Sequence, residues 1–135
     1  MFSTGKVEWS TPQNFYDNLN REFHFTLDPC ATDENHKCEK YYTKEANGLL
    51  QDWSGETVFC NPPYGRKITG EWVKKCFDES HHCKNIVMLI PARTDTKWFR
   101  QYIYHKAKEV RFIKGRLKFG GCKDAAPFPS MVVVF

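Results

Sequence analysis

Ile86-Val87-Met88-Leu89-Ile90 is an unbroken run of five apolar residues. Such a run is typical of a strand that is buried on both faces, as in a parallel sheet with helices on either side. A second strand is predicted at residues 57–60, and a helix at 71–78 stands between the two strands in the chain. Strands that alternate with helices predict an α/β fold with a mainly parallel sheet flanked by helices.

A helix is also predicted near the beginning of the chain. Ser10-Thr11-Pro12 has the form of a helix start, in which a hydroxyl group caps the helix and proline takes the first helical position. An apolar stripe follows at i, i+4 and i+8, formed by Phe15, Leu19 and Phe23. Residues 25–27 then predict a short strand, and residues 30–51 are expected to form a loop with a short helix.

The rest of the chain completes the sheet. Thr94 is expected to cap a second aromatic helix, with Trp98 facing Tyr102 and Phe99 facing Ile103 at i, i+4 spacing. Two last strands are predicted at residues 110–113 and 131–135. Ligands bind α/β sheets beyond the carboxyl ends of the strands. The residues predicted at such ends are Asp28, Asn61 and Pro91.

The composition bounds the class of protein. With 135 residues, of which 41% are hydrophobic and 27% charged, residues 1–135 are expected to form one globular domain. The net charge of +4 suits a polyanionic partner without requiring one. Residues 1–8 contain no apolar run and no segment has the ~20 apolar residues of a membrane span, so a cytoplasmic protein with no membrane partner is expected. Six scattered cysteines lack C-x-x-C spacing, and no metal is expected.

Asn61-Pro62-Pro63-Tyr64 follows the strand at 57–60 and predicts a catalytic turn. A conjugated amine, such as an amino group on an aromatic base or an amide nitrogen, is a poor nucleophile, because its lone pair is delocalised. Two acceptors that bind both N–H groups localise this lone pair, and the Asn61 carboxamide oxygen and the Pro62 carbonyl are suited to that role. Pro62 and Pro63 fix two consecutive φ angles and hold the turn stiffly beside the substrate. The competing interpretation is a structural proline turn.

Tyr64 adds a ring on which a base can stack after extrusion from the duplex. The chain as a whole resembles the phage-type DNA N6-adenine methyltransferase family, called the phage Dam family. The matching blocks occur in order along nearly the full chain, at residues 9–12, 25–31, 61–65, 89–96, 98–99, 115–119 and 127–130.

The resemblance implies a reduced Rossmann-like methyltransferase fold, S-adenosylmethionine as methyl donor and double-stranded DNA as substrate. It also implies a phage-encoded enzyme that works in the cytoplasm of a host cell. Asp28 and Pro29 match the strand end that binds the cofactor, although Asp-Pro also commonly starts a turn. Residues 30–33 replace the glycine-rich loop of other methyltransferases, and Asp52 is a candidate for binding the ribose of the cofactor.

Three basic residues are candidates for binding the substrate. Arg93 follows the central strand and is expected to contact a phosphate or the carboxylate of the cofactor. Arg116 and Lys118 alternate with apolar residues, so they either contact DNA phosphates or form the solvent face of a strand. The predicted sheet leaves little chain for a recognition domain, so a short or relaxed recognition sequence is expected.

Two other functions remain compatible with the sequence. Protein glutamine N5 methylation uses the same Asn-Pro-Pro-Tyr geometry on an amide, although the positive net charge argues against it. A DNA-binding module that has lost its cofactor loop would keep the fold without catalysis. Binding of S-adenosylmethionine and transfer of a labelled methyl group to DNA separate these possibilities.

Overall fold

The computed structural model describes residues 9–135, so the expectation drawn from the lack of an apolar run in residues 1–8 lies outside the described residues. One six-stranded sheet organises the fold, in the order β2-β1-β3-β4-β6-β5. In chain order its strands are β1 (Leu27–Asp28), β2 (Lys40–Tyr41), β3 (Thr57–Cys60), β4 (Asn85–Pro91), β5 (Glu109–Phe112) and β6 (Ser130–Val134).

The sheet is mainly parallel, as the sequence predicts. The pairs β1–β2, β1–β3 and β3–β4 are parallel. The strand β6 runs antiparallel to both of its neighbours, β4 and β5. Helices flank the sheet, and the predicted Rossmann-like fold class is confirmed. Within the described residues, no helix has the length and apolarity that a membrane span needs.

Alternate residues of the two central strands face two separate cores. Val58, Ile86 and Met88 face one core, which the helix α2 (Ile68–Glu79) covers with Trp72 and Val73. On the opposite face of the sheet, the helix α1 (Gln13–Phe23) covers the other core, which contains Phe59, Val87 and Leu89. Every residue of β3 is buried, and so is every residue of β4 after Asn85. The apolar run at 86–90 therefore has the two-sided burial that was predicted.

The helix α1 begins one residue later than predicted, because Pro12 stands at its N-cap and no side chain caps it. Burial on its inner face is also shifted: Tyr16 and Leu19 are buried, whereas Phe15 and Phe23 are only partly so. Tyr16 packs its ring against Phe25 and Phe59. The predicted stripe thus gives the correct helix but misses its most buried aromatic residue.

The prediction that residues 30–51 form a loop with a short helix and no strand is wrong in one respect. Lys40–Tyr41 forms the edge strand β2, which is too short and polar to show a strand pattern in the sequence. The expected short helix exists as a 3-10 turn at Gly48–Leu50. The strand β1 lies at Leu27–Asp28 rather than at 25–27, although the amide of Thr26 already bonds to the Thr57 carbonyl at 2.7 Å.

The aromatic helix after β4 differs from the prediction. It is a π-helix at Phe99–Ile103, in which the Tyr104 amide bonds to the Phe99 carbonyl at 2.8 Å. Thr94 does not cap it: the helical residues begin at Lys97, and the hydroxyl of the preceding Thr96 accepts the Phe99 N–H at 3.2 Å. The last strands, β5 and β6, each begin and end one residue before their predicted positions.

Candidate active site

A pocket of about 940 Å³ opens at the carboxyl ends of the parallel strands. Its volume is at the upper end of the range for small-molecule sites. Asp28 and Pro29 line it from the end of β1, and Asn61 to Tyr64 line it from the end of β3. Sequence reasoning placed these two groups at strand ends, and the structure brings both to one pocket.

Both amide hydrogens of Asn61 are engaged by a short segment before α1. The Asn61 Nδ2 donates to the Trp9 carbonyl at 2.6 Å and to the Thr11 Oγ1 at 2.9 Å. The Asn61 Oδ1 accepts the Tyr64 hydroxyl at 2.6 Å. A carboxamide oxygen has two lone pairs, so Oδ1 retains the capacity for one further hydrogen bond at the pocket.

The turn after β3 is also held from α2. The hydroxyl of Thr69, which is 3% exposed, accepts the Gly65 N–H at 2.9 Å and lies 3.2 Å from the Pro63 carbonyl, to which it donates. Among the described residues no group donates to the Pro62 carbonyl. The Pro62 carbonyl is therefore a fixed acceptor beside Asn61. Proline has no N–H, so the turn cannot form the backbone hydrogen bonds of a helix or strand at this residue.

Tyr64 is tied to the turn by its hydroxyl and to the core by its ring. The hydroxyl lies 2.6 Å from Asn61 Oδ1 and 3.0 Å from the Leu89 carbonyl, and its single proton serves one of them at a time. The ring packs nearly parallel to Trp9 with centroids 6.4 Å apart, and edge-on to Phe119 and Phe128. Burial raises the pKa of the phenol well above its ordinary value, so the hydroxyl stays protonated.

Asp28 presents a buried carboxylate to the same pocket. Its residue is 4% exposed, and its Oδ2 accepts the Lys37 backbone N–H at 3.0 Å. Burial raises the pKa of the Asp28 carboxyl to about 6, while hydrogen bonds from the backbone of Lys37 and Cys30 oppose the shift. No lysine, arginine or histidine of the described residues forms an ion pair with Asp28. An ionised Asp28 is therefore suited to a cationic ligand in the pocket.

The backbone of Gly48 lies close to the end of β1. The chain lacks the glycine-rich loop that makes such a close backbone contact in other methyltransferases. A Cβ atom at Gly48 would lie 2.0 Å from the Pro29 carbonyl oxygen and 3.0 Å from Trp72. Gly48 lines the pocket together with its neighbours Asn47 and Leu49. The turn that begins at Asn47 thus forms a wall of the pocket directly against the end of β1.

The remaining predicted site residues are not brought into the pocket lining. Asp52 is exposed, and its carboxylate accepts the backbone N–H and the hydroxyl of Ser54. Arg93 is exposed just beyond the carboxyl end of β4. Arg116 and Lys118 are exposed on a segment that is not a strand, whereas the residues alternating with them are partly or fully buried.

Sequence reasoning missed four residues that shape this site. Trp9 and Thr11 bind Asn61, Thr69 holds the proline turn, and Gly48 packs on the end of β1. Of these four residues, Thr11 has a signal in the sequence, because Ser10-Thr11-Pro12 places hydroxyl side chains directly before a helix. The same signal reads as a helix cap, and nothing in the sequence shows that the hydroxyl turns to Asn61 instead.

The protein has a Rossmann-like methyltransferase fold. This class is defined by the order of the strands, by the pocket at their carboxyl ends and by the rigid turn after β3. The family described as "DNA N-6-adenine-methyltransferase (Dam)" matches residues 3–134. The chain belongs to this family, and the resemblance stated from the sequence is confirmed.

Two phage proteins illustrate the similarity. A DNA N-6-adenine-methyltransferase of Escherichia phage T1 is 36% identical over 111 residues, which are 81% of this chain and 45% of the phage T1 protein. A DNA N-6-adenine-methyltransferase of Haemophilus phage HP1 is 33% identical over 136 residues, with 94% and 77% of the two chains covered. A solved structure from Thermoplasma acidophilum, provisionally assigned as a methyltransferase, has a TM-score of 0.45 at 8% identity and covers 93% of this chain and 64% of its own.

Proposed function

We propose that this chain transfers a methyl group from S-adenosylmethionine to the N6 amine of adenine in DNA. The observation that carries the proposal is the arrangement of Asn61, whose two N–H groups are both bound to the protein while its oxygen remains an acceptor at the pocket. Membership in the Dam family supports adenine in DNA as the substrate. The competing reading as a protein glutamine methyltransferase has no such support from the relatives.

The pocket residues fit the donor. S-adenosylmethionine supplies an electrophilic methyl group on a sulfonium and carries an ammonium group. The buried carboxylate of Asp28, which has no ion-pair partner among the described residues, would bind that ammonium group or complement the sulfonium charge. Pro29 and Gly48 would form the wall against which the donor packs.

The turn after β3 would prepare the amine. With one N–H bound by Asn61 Oδ1 and the other by the Pro62 carbonyl, the lone pair of the amine is drawn out of conjugation and aimed at the methyl group. These acceptors are fixed before the substrate binds, because Thr69, Thr11 and the prolines hold them. Neither acceptor is a base strong enough to keep a proton, so the proton released on methylation passes to water.

DNA would approach the same edge of the sheet. Arg93 follows the carboxyl end of β4, one strand away from Asn61. Arg116 and Lys118 precede Gly120, whose N–H bonds to the Ser10 carbonyl at 2.8 Å beside the pocket. All three cations are exposed, as contacts to phosphates require. Extrusion of the adenine would bring its amine from the duplex to the turn.

Transfer of a labelled methyl group tests the proposal. The purified chain is incubated with labelled S-adenosylmethionine and unmethylated DNA, and the DNA is digested to nucleosides and analysed by mass spectrometry. We expect N6-methyladenine as the labelled product. Label in glutamine of a protein, label in another base, or no binding of S-adenosylmethionine with or without DNA would each contradict the proposal.

The affinity for S-adenosylmethionine is expected to fall as the pH falls through about 6. The pKa of the Asp28 carboxyl is raised to about 6, so the group is ionised at neutral pH and becomes neutral below that value. Because a neutral carboxyl no longer complements a cation, the Kd should rise by about tenfold for each pH unit below 6. Calorimetric titrations between about pH 5 and about pH 8 measure this dependence.

Asp28→Asn is the matched control for this pH dependence. The amide should raise the Kd for S-adenosylmethionine at neutral pH, remove the dependence around pH 6 and leave the Kd for DNA nearly unchanged. Because the folded-state pKa of Asp28 lies above the ordinary value, its ionisation destabilises the free protein above pH 6. The variant should therefore melt no lower than the wild type at neutral pH. An unchanged cofactor affinity would place the donor elsewhere.

Tyr64→Ala is expected to weaken binding of the extruded adenine, whereas Tyr64→Phe is expected to remain within a few-fold of wild-type activity. Phenylalanine keeps the ring contacts with Trp9 and Phe128, and Asn61 keeps its two anchors at Nδ2. Stacking on a base contributes about 1–3 kcal/mol, which the alanine variant loses. The KM for DNA measures the difference, with melting temperatures as a control. Equal damage from both changes would assign the function to the hydroxyl.

A further inference from the structure

Residues 9–11 form a strap that lines the pocket and reaches Asn61. From this strap the Trp9 carbonyl and the Thr11 hydroxyl accept the two N–H groups of the Asn61 carboxamide. The carbonyl of Ser10 accepts the Gly120 N–H, which attaches the strap to the loop before β6. Thr11 is 5% exposed, so water has little access to its hydroxyl.

The strap decides which end of the carboxamide faces the substrate. A backbone carbonyl can only accept a hydrogen bond, so the Trp9 carbonyl excludes the flipped orientation, in which Asn61 Oδ1 would face another acceptor. Thr11 binds the second N–H and thereby fixes the rotation of the amide plane. Only Oδ1 is then directed to the side of Tyr64, where a substrate amine needs an acceptor.

The Thr11 hydroxyl has no role in the helix that follows it. A threonine before Pro12 at a helix start would ordinarily accept an N–H of the first turn and stabilise the helix by about 1 kcal/mol. In α1 no side chain makes a capping hydrogen bond. The hydroxyl is instead directed to a residue fifty positions away in the sequence.

We propose that Thr11 is a positioning residue for methyl transfer, which acts by holding the Asn61 carboxamide with its oxygen toward the substrate amine. This inference rests on the proposed function, because it assigns Thr11 a role in the same reaction. Thr11 itself need not touch the base or the cofactor. Loss of its hydroxyl would leave one N–H of Asn61 without an acceptor, and the amide plane would rotate away from the orientation that the reaction needs.

Thr11→Val tests the proposal, because valine has nearly the shape of threonine and lacks the hydroxyl. We expect the single-turnover rate constant, measured at saturating DNA and S-adenosylmethionine, to fall by about tenfold, as the loss of one buried hydrogen bond implies. The Kd for S-adenosylmethionine and the melting temperature should stay near the wild-type values. Thr11→Ser restores the acceptor and should recover most of the rate.

Thr57→Val is the matched control, since Thr57 is 6% exposed and lies at the opposite end of β3 from Asn61. It should not lower the rate constant. In an Asn61→Ala background, Thr11→Val should cause no additional loss, because the carboxamide on which Thr11 acts is absent.

The inference would be overturned by a Thr11→Val enzyme with the wild-type rate, by an equal loss in Thr11→Ser, or by an additive loss in the Asn61→Ala background. A raised Kd for S-adenosylmethionine in Thr11→Val would also overturn it, by assigning Thr11 to cofactor binding. Failure of the wild-type chain to methylate adenine would instead refute the proposed function itself.

Discussion

Asn61→Ala is expected to reduce the rate of methyl transfer by about 10²–10³, the usual cost of removing one preorganised group that acts on the reacting atoms. The change removes the acceptor Oδ1 from the pocket and leaves only the Pro62 carbonyl to bind the amine. The Kd for S-adenosylmethionine should change little, because Asp28 and the pocket wall at Gly48 are untouched. Single-turnover methylation and calorimetric titration measure the two effects separately.

Asn85→Ala is the control for this substitution. Asn85 is the first residue of β4, at the end of the strand that lies away from the pocket. Its side chain accepts a hydrogen bond there from Lys108. The same chemical change there should leave the rate within a few-fold of wild type. Activity of Asn61→Ala near the wild-type level would remove the catalytic role of the turn and favour a structural proline turn.

Gly48→Ala is expected to destabilise the protein and to weaken cofactor binding. The added Cβ would lie 2.0 Å from the Pro29 carbonyl oxygen, which belongs to backbone and cannot turn aside as a side chain can. The 3-10 turn at Gly48–Leu50 must then move away from the end of β1, which also strains the bond from Trp53 Nε1 to the Gly48 carbonyl. Overpacking of this kind costs about 1–3 kcal/mol or more.

A melting temperature lower by roughly 5–15 °C corresponds to that cost in a domain of this size. Gly120→Ala provides the comparison, because a Cβ there meets Ser10 only at an ordinary contact distance of 3.6 Å. Its melting temperature should stay close to wild type. A Gly48→Ala protein that melts normally and binds S-adenosylmethionine normally would show that the close contact with Pro29 is unimportant.

The central sheet could be predicted from the sequence because its signals are local. The apolar run at 86–90 and the strand at 57–60 have the periodicity of buried strands, and burial in the structure follows it. The position of Asn61 at the end of β3 follows from the same pattern, and so does its meeting with Asp28 at one edge of a parallel sheet. The short edge strand β2 has no such pattern, since pairing with β1 rather than its own composition makes it a strand.

The supporting contacts of the site could not be predicted, because they join residues that are distant in the sequence. Thr11 and Asn61 meet only after α1 and β3 have packed together. Gly48 packs against Pro29 where other methyltransferases have a glycine-rich loop, but Gly48 belongs to another segment of the chain. No rule of sequence spacing connects Gly48 with Pro29. The opposite error was made for Asp52, which was predicted to bind the cofactor. Its carboxylate bonds to the neighbouring Ser54 and lies outside the pocket lining.

The place of β6 in the sheet constrains the order in which the protein can assemble. The strands β4 and β5 do not pair with each other, and β6, the last strand in the sequence, bonds to both. Until β6 is in place, β5 has no partner in the sheet, and β4 exposes the unpaired backbone of the edge that β6 will cover. Partners such as Val87 and Val134 are far apart in the sequence, and long-range pairings of this kind slow the folding of a domain.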